Sequence, residues 1–230
     1  MTQAGYNQFC PVAMAAEILC TRWTMLVVRE LTAGSTRFND LQRGVPRMSR
    51  TLLAKRLREL VSWGIVDRQP LRGDPHVYEY KMTPAGLDLL PVVQAMGIWG
   101  QKWIESTVTL DNLDPSLLMW DMRRNLDPEP LPSKRTVVQF RFHDQPQSKQ
   151  LAWLVVEPDG DVDLCWSDPG FEVDLYVDTD LRTLTAIWMG IDTVRGAADR
   201  IEFDGNRRLA ETMQTWLGLS PFAAQKKLAS

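Results

Sequence analysis

The chain has 230 residues, enough for one or two domains, and its 44% hydrophobic content supplies ample material for a core. No uncharged apolar run reaches about 18 residues, so no membrane-spanning helix is expected, and the polar stretch Met1–Asn7 lacks a secretory signal pattern. Three widely spaced Cys without a CxxC pair point to a reducing, cytoplasmic setting; with only His76 and His143 beside them, ligands for zinc are few. The net charge of −3 hides an asymmetry. Residues 1–106 carry 13 basic and 9 acidic side chains, a net of +4, whereas 107–230 carry 13 and 20, a net of −7. Within 37–81 the balance is 10 to 5. A basic half suits phosphates, and an acidic partner domain is held off them.

Pro11 suits a first helical position, and Val12 to Cys20 reads as a helix. A second helix spans Trp23 to Leu31, its apolar face made by Trp23, Leu26, Val27, Val28 and Leu31. Gly34 stands at its C-terminal cap. A short helix over Phe38 to Arg43 turns Phe38 and Leu41 inward and leaves Asn39 outside, with Arg37 just before it. Gly44-Val45-Pro46 makes a turn, because Pro46 restricts the residue before it. Ser49 then caps a longer helix to about Trp63.

That helix is two-faced. Leu53, Leu57 and Leu60 fall on one stripe, while Thr51, Lys55, Arg58 and Ser62 project from the other side. Ser49 and Arg50 occupy the start, where unpaired N–H groups favour an anion. A helix, a turn and a helix presenting Ser, Arg, Thr, Lys and Arg suit a major groove. The bland alternative is an ordinary solvated helix face. Gly64 stops the helix, and Ile65–Arg68 and Val77–Met82 read as two strands around a turn at Leu71–Pro75. A hairpin there is a wing, with Arg72 and His76 near its tip. Thr83 and Pro84 then open a helix whose apolar positions include Leu87, Leu90, Met96, Trp99 and Trp103, more than a small domain needs. Those residues serve either the chain's own core or a homodimer, and a two-fold dimer would match a palindromic operator.

Three stretches carry a family resemblance: CPVAMAAEILCTRWTMLVVREL, RFNDLQRGVPRMSRTLLAKRLRELVSWGIVDR and VYEYKMTPAGLDLL. In this order they resemble the HxlR family of bacterial winged-helix regulators over Cys10–Ser106. The resemblance implies a homodimer built from the N-terminal helix and the 84–105 helix, with double-stranded DNA contacted by Ser49, Arg50, Thr51, Lys55 and Arg58. Arg37, Asn39, Arg72 and His76 complete the expected DNA-facing set. Cys10, just before the first helix, matches a cysteine that acts in some members as a redox or electrophile sensor. A helix N-terminus favours a thiolate. The alternative is a small packing residue at the dimer seam.

In the second half, Asp114-Pro115 opens a helix, and three prolines between Asp127 and Pro132 end it. Four strand-like runs follow: Val138–Phe142, Leu151–Val156, Val162–Trp166 and Val173–Val177, with a turn at Pro158–Asp161. Asp180 caps a helix closed by Gly190; Arg200–Phe203 reads as a last strand and Leu209–Leu217 as a last helix, with a loose tail from Gln225. This order, with DPGFEVDLYVDTDLRTLTAIWMG and ADRIEFDGNRRLAETMQTWLGL, resembles the sterol carrier protein type-2-like domain. That resemblance implies a sheet with helices on one side and an apolar tunnel for a fatty or sterol-like molecule, lined by Trp153, Trp166, Trp188, Met189, Met213 and Trp216. The alternative is that these six are plain core residues.

The expected fold is α+β: a winged helix-turn-helix over 1–106, a linker with a short helix over 107–135, and a sheet-and-helix domain over 136–230. No Gly-rich phosphate loop, HExxH or GxSxG occurs, so neither an enzyme nor a cofactor is expected. The expected function is a dimeric DNA-binding regulator under control of a hydrophobic ligand. Two other readings stay open: a lipid-binding or interaction module that uses the winged helix only to dimerise, and a thiol sensor acting through Cys10.

Overall fold

The computed structural model describes residues 5–105 and 110–228. The beginning of the expected polar link, Thr107–Thr109, lies outside the described residues, as do Ser106 and the last two positions of the tail. Two compact units divide the chain, Met1–Met96 and Gly97–Ser230. No single helix among the described residues is long and apolar enough to cross a membrane.

The first unit contains α1 (Pro11–Leu19), α2 (Thr24–Thr32), α3 (Phe38–Gly44), α4 (Arg50–Ser62), β1 (Val66–Leu71), β2 (Asp74–Met82) and α5 (Pro84–Leu87). Its core joins Val27, Val28 and Leu31 of α2, Leu41 of α3, and Leu53, Leu57 and Leu60 of α4. The two strands pair antiparallel, from Val66 opposite Met82 to Pro70 opposite Tyr78. The hairpin is tighter than the sequence pattern suggests: only Arg72 and Gly73 lie between the strands. Gly73 takes a positive φ of 95°, which other residues rarely adopt, and so permits a two-residue turn.

The expected single helix after Thr83 is two helices. Thr83 Oγ1 accepts from Gly86 N at 3.1 Å and caps α5, but α6 (Leu90–Trp103) starts only after a turn at Asp88–Leu89. Pro91 explains the break: it has no N–H to continue the helical ladder, and it suits a first turn. The boundary between the units falls inside α6.

The second unit holds a five-stranded sheet of β3 (Thr136–Phe142), β4 (Leu151–Val156), β5 (Val162–Cys165), β6 (Leu175–Thr179) and β7 (Ile201–Gly205), in the order β5-β4-β3-β6-β7. Only β3 and β6 run parallel; the other neighbours are antiparallel. Strand alternation sends Val138, Phe140 and Phe142 to one face, where they meet α7 (Pro115–Asn125), α8 (Leu181–Trp188), α9 (Arg207–Glu211) and α10 (Met213–Trp216) in a single cluster. The α7 segment, expected as part of a linker, therefore belongs to this core: Leu118, Met119 and Met122 are buried in it. Capping anchors three of these helices, Asp114 Oδ1 accepting from Ser116 N at 2.9 Å, Asp180 Oδ1 from Thr183 N at 2.7 Å and Asn206 Oδ1 from Leu209 N at 3.2 Å. The tail is also less loose than expected, since Leu228 N donates to the Lys102 carbonyl at 2.8 Å.

Candidate nucleic-acid interface

The exposed side of α4 follows from how its other side is held. Leu53 and Leu57 are fully buried and Leu60 nearly so, which forces Thr51, Lys55 and Arg58 to the opposite, exposed side. Ser49 Oγ accepts from Leu52 N at 3.3 Å, so the expected cap is in place at the exposed start of the helix. The preceding turn is pinned by Gln42, whose Nε2 donates to the Met48 carbonyl at 2.7 Å and to that of Val45 at 3.3 Å. Val45 and Met48 are buried beneath it.

Arg50 and Asn39, both expected at the DNA, are brought together across two helices. Arg50 Nη2 donates to Asn39 Oδ1 at 3.1 Å, and its guanidinium lies 4.9 Å from the Phe38 ring centre. The contact orients a guanidinium at the entry of α4 without burying it, since Arg50 is exposed. Lys55 makes a long ion pair of 3.9 Å with Glu59, one turn on. Such exposed pairs are weak and yield readily to a phosphate. Arg56 does different work: it is buried, with Nε donating to the Arg22 carbonyl at 3.1 Å and Nη1 to Glu59 at 2.5 Å.

The wing places Arg72 in its turn and His76 on β2, both exposed. His76 has a backbone role too, its N–H donating to Asp74 Oδ1 at 3.0 Å. Arg37 sits at the base of the wing rather than near its tip, bridging as backbone to Glu79, while Tyr80 N donates to the Thr36 carbonyl at 2.8 Å. Glu79 is held ionised there: the hydrogen-bonded Lys81 ammonium, and to a lesser degree Gln69 and Arg37, keep its carboxyl below the ordinary value against the opposing effect of desolvation. Arg37 thus helps fasten the wing to α3. Sequence reasoning missed Arg68, whose guanidinium stacks 3.5 Å from the Tyr78 ring centre on the paired strands. The alternation of β2 contained that signal, because Tyr78 and Arg68 share a face. A second omission is Arg29, which pairs with the fully buried Glu30 at 2.6 Å and donates to the Gly44 carbonyl at 2.9 Å. It ties α2 to the end of α3.

Cys10 occupies the N-cap position of α1, and its thiol pKa is lowered by the backbone N–H groups of Ala13 and then Val12. Cys165, on β5, is pushed the other way by burial and by the nearby Asp163 carboxylate. Of the six residues expected to line one apolar tunnel, five gather on the helix side of the sheet. Trp188, Met213 and Trp216 are buried there, with Trp166 and Met189 half-buried against them. Trp216 is packed solid, its Nε1 donating to the Leu209 carbonyl at 2.8 Å. Trp153 does not join them: it lies on the other face with Val137 and Val155. That face also carries an open hollow of about 470 Å³ of mixed lining, in which Gln139, Arg141, Asp178, Glu202 and Asp204 meet Leu151, Tyr176 and Phe203.

A family model described as HxlR-like helix-turn-helix matches residues 18–108. YvaP, an uncharacterized HTH-type transcriptional regulator of Bacillus subtilis, is 34% identical over 100 residues, covering 43% of this chain and 93% of YvaP. The chain belongs to the HxlR-like helix-turn-helix family. Another relative of this HxlR-like chain, an uncharacterized HTH-type transcriptional regulator of Mycobacterium tuberculosis H37Rv, is 40% identical over 95 residues; the match spans 40% of this chain and 58% of that protein. Among solved structures, the quinone-bound YodB of B. subtilis is 35% identical, covers 40% of this chain and 97% of that one, and has a TM-score of 0.35. The HxlR-like match ends at residue 108, before the first strand of the second unit.

Proposed function

We propose that this chain is a homodimeric transcriptional regulator that reads a palindromic operator in double-stranded DNA. The observation that carries the reading is the exposed face of α4: Thr51, Lys55 and Arg58 stand outside while Leu53, Leu57 and Leu60 fix the helix from within, and Ser49, Arg50 and Asn39 form its entry. In this reading α4 enters the major groove, Arg58 or Arg50 takes a guanine edge, and Arg72 and His76 of the wing meet the backbone. Dimerisation is supported by the unusual exposure of Val12, Met96, Trp99 and Trp103, at 76%, 54%, 61% and 54%. The second unit is the proposed seat of control. The resemblance to a sterol carrier domain is supported by helices gathered on one face of a sheet, and Trp166 and Met189 are the half-buried edge where a hydrophobic effector would enter.

The test is duplex binding, with the operator found by genomic footprinting. The wild type is expected to bind with sequence preference and to weaken steeply with salt. Changing Arg50, Lys55 and Arg58 together to Ala is expected to cost more than about 3 kcal/mol, since one good bidentate base contact alone is worth about 1–3 kcal/mol. Unchanged binding by the triple variant, or no sequence-preferring binding by the wild type, sinks the proposal. A second reading, thiol control through Cys10, is favoured by the placement of that thiol at a helix N-cap with its pKa lowered. An oxidant response that persists in Cys10→Ser removes it.

A further inference from the structure

The C-terminal half of α6, Gly97–Trp103, has two faces, and the second unit holds only one of them. Gly97 and Gln101, one turn apart, share the covered face, Gly97 against Phe222 and Gln101 against the end of α8. A Cβ on Gly97 would overlap the Phe222 ring, so the helix meets that ring at backbone distance. Gln101 is 6% exposed and its Nε2 donates to the Met189 carbonyl at 3.1 Å. One residue on, the Lys102 carbonyl accepts from Leu228 N at 2.8 Å. Trp99 and Trp103 point elsewhere and are largely exposed.

The segment that grips α6 is a strap without regular secondary structure, Ser220–Leu228. It is itself seated on the end of α8. Ser220 N donates to the Trp188 carbonyl at 2.9 Å, and Gly190, at φ 71°, leaves room for Ala223, where a side chain would press against it. The joint is closed at a cost. Gln101 Oε1 and Trp188 Nε1 are buried with no hydrogen-bond partner among the described residues. Unmet polar groups oppose burial, so both weaken the packing around α6 and the end of α8. A strap without regular secondary structure, half-buried and held by few backbone hydrogen bonds, opens more readily than the core beneath it.

We propose that the strap is a latch on α6. Seated, it holds the helix in the conformation that offers Met96, Trp99 and Trp103 to a second copy of the chain. Lifted, it loosens the helix and with it the dimer. The latch rests on the dimeric reading above, and it names the step by which an event in the second unit reaches the DNA-binding half: through a helix that both units share.

Full-length Phe222→Ala, Gly97→Ala and the double variant test it. Phe222→Ala removes a half-buried ring that is not part of the main core, so the protein is expected to remain folded. Hydrogen exchange at residues 97–104 and the dimer dissociation constant from sedimentation are the readouts. Each single variant is expected to raise exchange there and to weaken the dimer about tenfold, and the double is expected to be no worse than either, because the two act on one contact. Unchanged dimer affinity in both single variants overturns the latch. A dimer that responds to the strap but binds no duplex supports the latch and sinks the DNA reading alone. Duplex binding that is indifferent to the strap sinks the latch alone.

Discussion

The nine tryptophans divide the molecule. Through the end of α6, Trp63, Trp99 and Trp103 are 60%, 61% and 54% exposed, and Trp23 is only partly covered. Beyond residue 110, Trp120, Trp153, Trp188 and Trp216 are all at most 7% exposed, and Trp166 is half-buried. The charges divide the same way, basic before and acidic after. One part keeps large apolar groups and cations outside, where a partner can use them; the other spends its tryptophans on its own core and leaves only Phe171 and Tyr176 among its large aromatics exposed, among the described residues. The same residue type therefore predicts opposite consequences on substitution in the two regions.

The largest effect is expected in the second. Trp216→Ala deletes a fully buried ring and its 2.8 Å hydrogen bond to Leu209. The expected loss is about 3–5 kcal/mol of stability in that unit, read by urea unfolding. A loss below about 1 kcal/mol would mean that Trp216 lines space rather than fills it, as the expected tunnel requires. Trp99→Ala should behave in the opposite sense. Its ring is exposed, so the folding stability of the monomer should move by less than about 0.5 kcal/mol. The dimer dissociation constant should rise by more than about 30-fold, the equivalent of a 2 kcal/mol hot spot. If sedimentation instead finds an unchanged dimer, the exposed aromatics of α6 have another use.

Much of the first region was legible because its features are local. A cap at Ser49, a leucine stripe three and four residues apart and a Gly in a two-residue turn each leave a short-range mark. Arg56 and Arg58 separate on the same ground: two positions apart on a helix they face different ways, and the structure buries the first and exposes the second. Legibility fails where the information is distant. β4 reads Leu-Ala-Trp-Leu-Val-Val, apolar on both faces, so nothing in the string says that Trp153 turns away from the helices. Arg37 carries the charge expected of a DNA contact, yet its bridge to Glu79 depends on a strand more than 40 residues on. The strap is less legible still, because Phe222 acquires meaning only against Gly97.

The smallest expected effect concerns the thiols, and it bears on the comparison most directly. Cys10 stands at the exposed start of α1, where the N–H groups of Ala13 and Val12 stabilise the thiolate and lower its pKa. Cys165 lies on the sheet, where burial first and Asp163 second disfavour the charge and raise it. Alkylation proceeds through the thiolate. Raising the pH should therefore switch on labelling at Cys10 before labelling at Cys165, and near neutral pH Cys10 should react several-fold faster. The Cys10 rate should level off below the ordinary thiol value, while that of Cys165 keeps rising past it. Peptide-resolved labelling with iodoacetamide across about pH 6–10, a range that brackets the ordinary thiol value, reads both cysteines from each digest. Curves that coincide would mean that the helix start confers no advantage on Cys10. The thiol reading of this regulator would then lose its physical basis.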